Sequence, residues 1–138
     1  MTQADRVHST PRTDSSSNRP MFPPITDPIL ELIEAHRRAR TALMTAMKTQ
    51  NRFEKCHGAG AGNWVTTQPC HHENDVFEEL AAASATTPSG LLAKIEYFHE
   101  LATDDEWAWI ILDPRDEGTT VALFESLAAS LKNVGVLS

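Results

Sequence analysis

Cysteine is nearly missing from this chain. Two in 138 residues exclude a disulfide-stapled scaffold. The N-terminus lacks the basic start and apolar block of a secretory signal, so both are expected as thiols in a reducing cytoplasm. Long hydrophobic runs are missing too, and no stretch approaches the length of a bilayer-spanning helix. Positive charge is scarce: twelve Lys and Arg stand against nineteen Asp and Glu, a net charge of −7 that argues against a dedicated nucleic-acid binder. No serine sits in a nucleophile elbow, and no internal repeat occurs. What is present is a globular hydrophobic content of 41% on a length that suits one domain.

The charge is unevenly spread. Residues 1–24 carry a net +1, which leaves −8 on the remainder. Within that remainder Arg37, Arg38, Arg40, Lys48, Arg52 and Lys55 face only Glu54, whereas residues 73–125 hold thirteen carboxylates against Lys94 and Arg115. A basic helix packed beside acidic neighbours explains this most simply; a basic strip offered to phosphate or to an acidic partner is the sharper alternative.

Residues 1–24, rich in Ser, Thr, Pro and Arg, have too little apolar surface to offset the entropy of ordering, which predicts a flexible N-terminal arm. A single helical domain is expected over 25–138. Asp27-Pro28 reads as an N-cap followed by proline at the first helical position. Ile29, Leu32, His36, Ala39, Leu43, Ala46, Gln50 and Phe53 then recur at helical steps. Gly58-Ala59-Gly60-Ala61-Gly62-Asn63 breaks the pattern, and the stretch from Cys56 to His72 is expected as a Gly-rich loop. A second helix is expected from Asp75, with Glu78 completing a capping box and Val76, Leu80 and Ala83 inward.

Thr87-Pro88 starts a third helix, with Leu91, Ile95, Phe98 and Ala102 as its apolar face. Thr103-Asp104-Asp105-Glu106 resembles another capping box before Trp107-Ala108-Trp109-Ile110-Ile111-Leu112, a short buried helix or strand. A last helix over Thr120–Asn133 should bury Leu123, Phe124, Leu127, Leu131 and Val134 and end at Gly135. These elements predict an all-α bundle of four to five helices with short connections.

The combination Asp27-Pro28-Ile29, Glu34-Ala35-His36-Arg37-Arg38-Ala39, Thr86-Thr87-Pro88-Ser89-Gly90-Leu91 with Tyr97, and Leu123-Phe124-Glu125-Ser126-Leu127-Ala128 resembles a numerous group of small uncharacterised bacterial helical proteins. The likeness covers roughly residues 27–48 and 76–135 and consists of helix boundaries rather than catalytic signatures. It implies a helical fold and a bacterial cytoplasmic setting, and no activity.

Ligand-type side chains cluster once, at Cys56, His57, Cys70, His71 and His72. Thiolate and imidazole at four such positions are what a tetrahedral zinc site needs, and two thiols allow a redox pair. The pairs are adjacent rather than two to four residues apart, so unligated residues outweigh both. Glu96-x-x-His99 lacks the second copy that a di-iron bundle uses. His72-Glu73 lacks the second histidine of a zinc-protease helix, and the glycine segment lacks the strand and lysine of a phosphate loop. His36 reads as a hydrogen-bonded core or boundary histidine. With no complete catalytic set and no required cofactor, the sequence points to a non-enzymatic module that binds a protein partner or itself, away from membranes. A zinc or thiol-redox protein is the alternative.

Overall fold

The computed structural model describes residues 26–104 and 117–136. Within them it places four α-helices and no strand, the all-α bundle that the periodicity predicts. Among the described residues no helix is long and apolar enough to cross a membrane. The expected arm and the segment 107–112 lie outside the described residues, as do Asp105 and Glu106 of the capping box expected to introduce that segment.

Helix α1, Pro28–His57, opens at Asp27, whose carboxylate accepts from the Ile29 amide at 3.0 Å. Thirty residues make it about 45 Å long, the spine of the molecule. It buries Ile29, Ile33, His36, Ala39, Leu43 and Ala46. Gly58 and Gly60 then turn the chain with φ of 98° and 80°, a region closed to most L side chains. Helix α2, Trp64–Ala82, returns antiparallel and packs along α1.

The start of α2 corrects the expected loop. Cys56 and His57 form the end of α1, and Cys70, His71 and His72 lie inside α2, so the loop contracts to Gly58–Asn63. Asp75 is an interior helical residue rather than a cap. The sequence misleads here because Pro69 stands within α2, where its missing N–H leaves the Val65 carbonyl without an i+4 donor. The interruption falls where α2 is half-exposed, and the hydroxyls of Thr66 and Thr67 donate to the Asn63 carbonyl at its start.

Helix α3, Pro88–Thr103, is capped by Thr87, whose hydroxyl accepts from the Gly90 amide at 3.0 Å. Thr103 is the last residue of α3. The buried face is Leu91, Lys94, Tyr97, Phe98 and Leu101. Ile95, expected inside, is 49% exposed, and Ala102 is exposed as well. Leu91 and Phe98 are buried as expected, but between them Lys94 turns inward in place of Ile95, its ammonium bonded to the carbonyls of Ala81 and Ala83.

Helix α4, Glu117–Asn133, buries Leu123, Ser126 and Ser130, with Leu127, Leu131 and Val134 packed at the edge of the core. Phe124, expected inside, is 66% exposed, because the small side chains of Ser126 and Ser130 set the contact face. Gly135 ends the helix as expected. With φ at 76°, it donates to the Lys132 carbonyl while Val136 donates to that of Leu131, a Schellman closure.

In cross-section α1 and α2 form the central pair, α3 lies on α1, α4 lies on α2, and α3 and α4 touch only lightly. The apolar core gathers Ile29, Ile33, Phe77, Leu80, Leu91, Phe98, Leu101 and Leu123 around the α2–α3 turn. From α1 it takes only the first two turns, so the distal half of the α1–α2 hairpin extends beyond it.

Candidate functional site

The five expected metal-ligating or redox residues are not brought together. Gln50 marks the geometry: its amide donates to Glu54 and Asn63, and Thr66 donates to its oxygen at 2.8 Å, clasping the two helices. Cys56 lies six residues beyond this clasp toward the tip, and Cys70 four residues beyond Thr66 toward the body. At 1.5 Å per residue the two thiols are about 15 Å apart along the hairpin. A disulfide needs Cα atoms within about 7 Å. Cys56, His57, His71 and His72 are exposed, and Cys70 is half-buried. Among the described residues no three His, Cys, Asp or Glu side chains are grouped to hold a metal.

A different constellation forms where α1, α2 and α3 meet. The His36 imidazole sits 2.8 Å from Tyr97 Oη through Nδ1 and 2.8 Å from Glu73 Oε1 through Nε2. With Glu73 as a carboxylate, Nε2 carries the proton and donates to it, and the Tyr97 hydroxyl donates to Nδ1. All three are almost fully buried, and Phe77 packs against the imidazole with ring centroids 5.4 Å apart. Burial pushes the Tyr97 phenol above its ordinary value, against the opposing pull of Arg40 and Arg37.

Carboxylate, imidazole and hydroxyl in line have the order of an acid–base relay. Here both imidazole nitrogens are engaged and the phenol is held protonated inside the protein, so the arrangement acts as a three-helix polar tie. The sequence placed His36 on the buried face; nothing local marked Glu73 and Tyr97, distant in the chain, as its partners.

The second polar cluster holds the α2–α3 turn. The Lys94 ammonium is fully buried and donates to the carbonyls of Ala81 at 2.8 Å and Ala83 at 2.6 Å and to Ser126 Oγ at 2.7 Å. A cation at the C-terminal end of α2 meets both its orphan carbonyls and its dipole. Burial nevertheless pushes its pKa down to about 8. Ser130 Oγ accepts from the Ala85 amide, and Asn133 donates to the Ala85 carbonyl.

On the other flank of that turn, Asp27 Oδ2 accepts from the amides and hydroxyls of both Thr86 and Thr87. Burial acts to raise the Asp27 carboxyl, but the hydrogen bonds from Ile29, Thr87 and Thr86 outweigh it and hold the pKa below its usual 3.8. Gly90 is required here because a Cβ would overlap the Asp27 carboxylate.

An open groove of about 500 Å³ runs along the exposed flank of α1 beside the end of α3. Arg37, Arg40 and Lys48 rim it, Glu100 is the one acidic lining residue, and Thr41, Met44, Thr45 and Tyr97 complete the lining. Arg37 donates to Glu100 at 3.0 Å, with both side chains at least half exposed, and its guanidinium lies 5.0 Å from the centre of the Tyr97 ring. Arg40 donates to Asp104 at 2.9 Å. Comparison of the chain with protein-family models, with curated proteins and with solved structures gave no match.

Proposed function

We propose that this chain is a non-enzymatic protein-interaction module that associates with a second copy of itself through the outer faces of α3 and α4. The observation that carries the reading is the placement of large apolar side chains on those faces. Leu92 and Ile95 stand one turn apart on α3, Val121 and Phe124 one turn apart on α4, and each is about half exposed or more. Burying such a side chain fully is worth about 1.5 to 3 kcal/mol, so leaving four in water is a substantial unspent driving force. A two-fold dimer lets one patch meet its own copy and covers both at once.

The polar groups support the same reading from the other direction. His36, Glu73, Lys94 and Ser130 satisfy one another or the backbone inside the fold, and none of them lines the groove. The bacterial cytoplasmic setting implied by the resemblance belongs to the same proposal.

Native mass spectrometry of the untagged full chain reads subunit number and bound metal in one measurement. The expected result is a metal-free dimer that the double variant Ile95→Glu, Phe124→Glu converts to a monomer of unchanged helical content. A wild-type monomer throughout a wide concentration range, or a dimer untouched by the double variant, would overturn the reading.

A further inference from the structure

We propose that the groove on α1 is a docking site for an acidic amphipathic helical segment of another protein. This shares with the reading above only the premise that the chain works by binding protein. The surface is different, on α1 and the end of α3 rather than on the outer faces of α3 and α4.

Charge complementarity selects the occupant. Three cations, Arg37, Arg40 and Lys48, rim the groove; among the described residues Arg37 pairs with Glu100 and Arg40 with Asp104, which leaves a local excess of one positive charge in a chain whose net charge is −7. Lys48 is exposed, and among the described residues it forms no ion pair. The Arg37–Glu100 pair is exposed, and such pairs are worth little, so a carboxylate of a partner can replace Glu100 at small cost. Arg37 is meanwhile held in place by the Tyr97 ring beneath it. Arg40, only 16% exposed, is already oriented by Asp104.

Between the cations the lining is mixed, with apolar surface on Met44 and on the threonine methyl groups. Thr41 and Thr45 donate their hydroxyls back to the carbonyls of Arg37 and Thr41. With those donors bonded to the backbone, their methyl groups join Met44 as contact surface above the buried Tyr97 ring. From Arg37 to Lys48 the rim spans about 16 Å, three turns of a helix. Among the described residues there is no strand, so an extended peptide has no sheet edge to join, whereas a helix laid into a groove between helices matches the surface present. Acidic residues toward the rim and leucines at helical spacing toward Met44 complete the match.

The test uses the full chain and a fluorescein-labelled synthetic peptide of about four helical turns, built from Glu, Ala and Leu with leucines on one face. The same peptide with Lys for Glu and a single-stranded oligonucleotide are the controls. Fluorescence anisotropy should show binding of the acidic peptide alone, weakening as salt is raised. Lys48→Glu and Arg37→Glu, both at exposed positions that spare the core, should each weaken it roughly tenfold. The Ile95→Glu, Phe124→Glu variant should bind the peptide as wild type does, which separates this site from the self-association surface. Absence of peptide binding, stronger binding of the oligonucleotide, or binding indifferent to both charge reversals would overturn the proposal.

Discussion

At the scale of single residues, the fold is held by polar side chains that close the ends of helices. Lys94 is the clearest case, because its ammonium serves two carbonyls at the end of α2 and the Ser126 hydroxyl on α4. Lys94→Met keeps most of the stem volume but leaves those carbonyls without a donor, and is expected to destabilise the domain by about 2 kcal/mol or more at neutral pH. The pH dependence follows from a folded-state pKa of about 8 against an ordinary 10.5. Between those values the unfolded chain binds the proton that the folded chain has released, so this group adds stability as pH rises. Denaturant titrations of wild type and Lys94→Met should therefore diverge between about pH 8 and 10.5, in favour of the wild type; a constant difference across that range would show that folded Lys94 keeps its proton.

Asp27 is linked to pH in the same direction, but in the acid range. Its folded pKa lies below 3.8, so its contribution is present above that value and is lost as pH falls through the folded pKa. One carboxylate caps α1 and also ties down Thr86 and Thr87. Asp27→Ala should cost more than the ~1 kcal/mol of an ordinary N-cap. The variant's acid-unfolding curve, followed by circular dichroism, should lose the part of the stability decline that Asp27 supplies below pH 3.8 in the wild type.

At the scale of elements, helix boundaries and buried faces were legible to different degrees. Asp27-Pro28, Thr87-Pro88 and Gly135 announced their caps because a cap is local chemistry, decided by one side chain or one φ value. The start of α2 was hidden by Pro69 and by a first turn without apolar spacing. The faces of α3 and α4 were misread at Ile95 and Phe124 because periodicity ranks positions by hydrophobicity. It cannot know that Lys94, Ser126 and Ser130 find buried partners in other helices. The same limit hid the hydrogen-bond partners of His36, which lie on α2 and α3. Truncation should expose the difference: Leu80→Ala, at a fully buried position, is expected to cost about 2 to 5 kcal/mol, and Ile95→Ala less than about 1. Equal losses in urea unfolding would place Ile95 back in the core.

At the scale of the whole molecule, stability is distributed unevenly along α1. Its first turns lie against the apolar core, its middle is tied by His36 to both α2 and α3, and its last turns meet only the start of α2. Past Ala46 no side chain of α1 is buried, and Phe53 stacks on His57 of its own last turn. Among the described residues the Gln50 clasp to Asn63 and Thr66 is therefore the last hydrogen-bonded tie between α1 and α2 before the tip, and it consists of hydrogen bonds near water, each worth about 1 kcal/mol. Local opening free energies should fall in order along the helix, from the global value near Ile33 to little above zero past Arg52. Native-state hydrogen exchange read amide by amide would show this gradient, and Gln50→Ala should lower protection from Thr49 to Cys56 while leaving the Ile29–Ala39 amides unchanged. Because Cys56 lies in the segment that opens first and Cys70 beyond the clasp, Cys56→Ser with Cys70→Ser should leave the melting temperature nearly unchanged. Uniform protection along α1, or a loss of several degrees in that double variant, would mean that the hairpin tip carries structure or a ligand that these contacts do not supply.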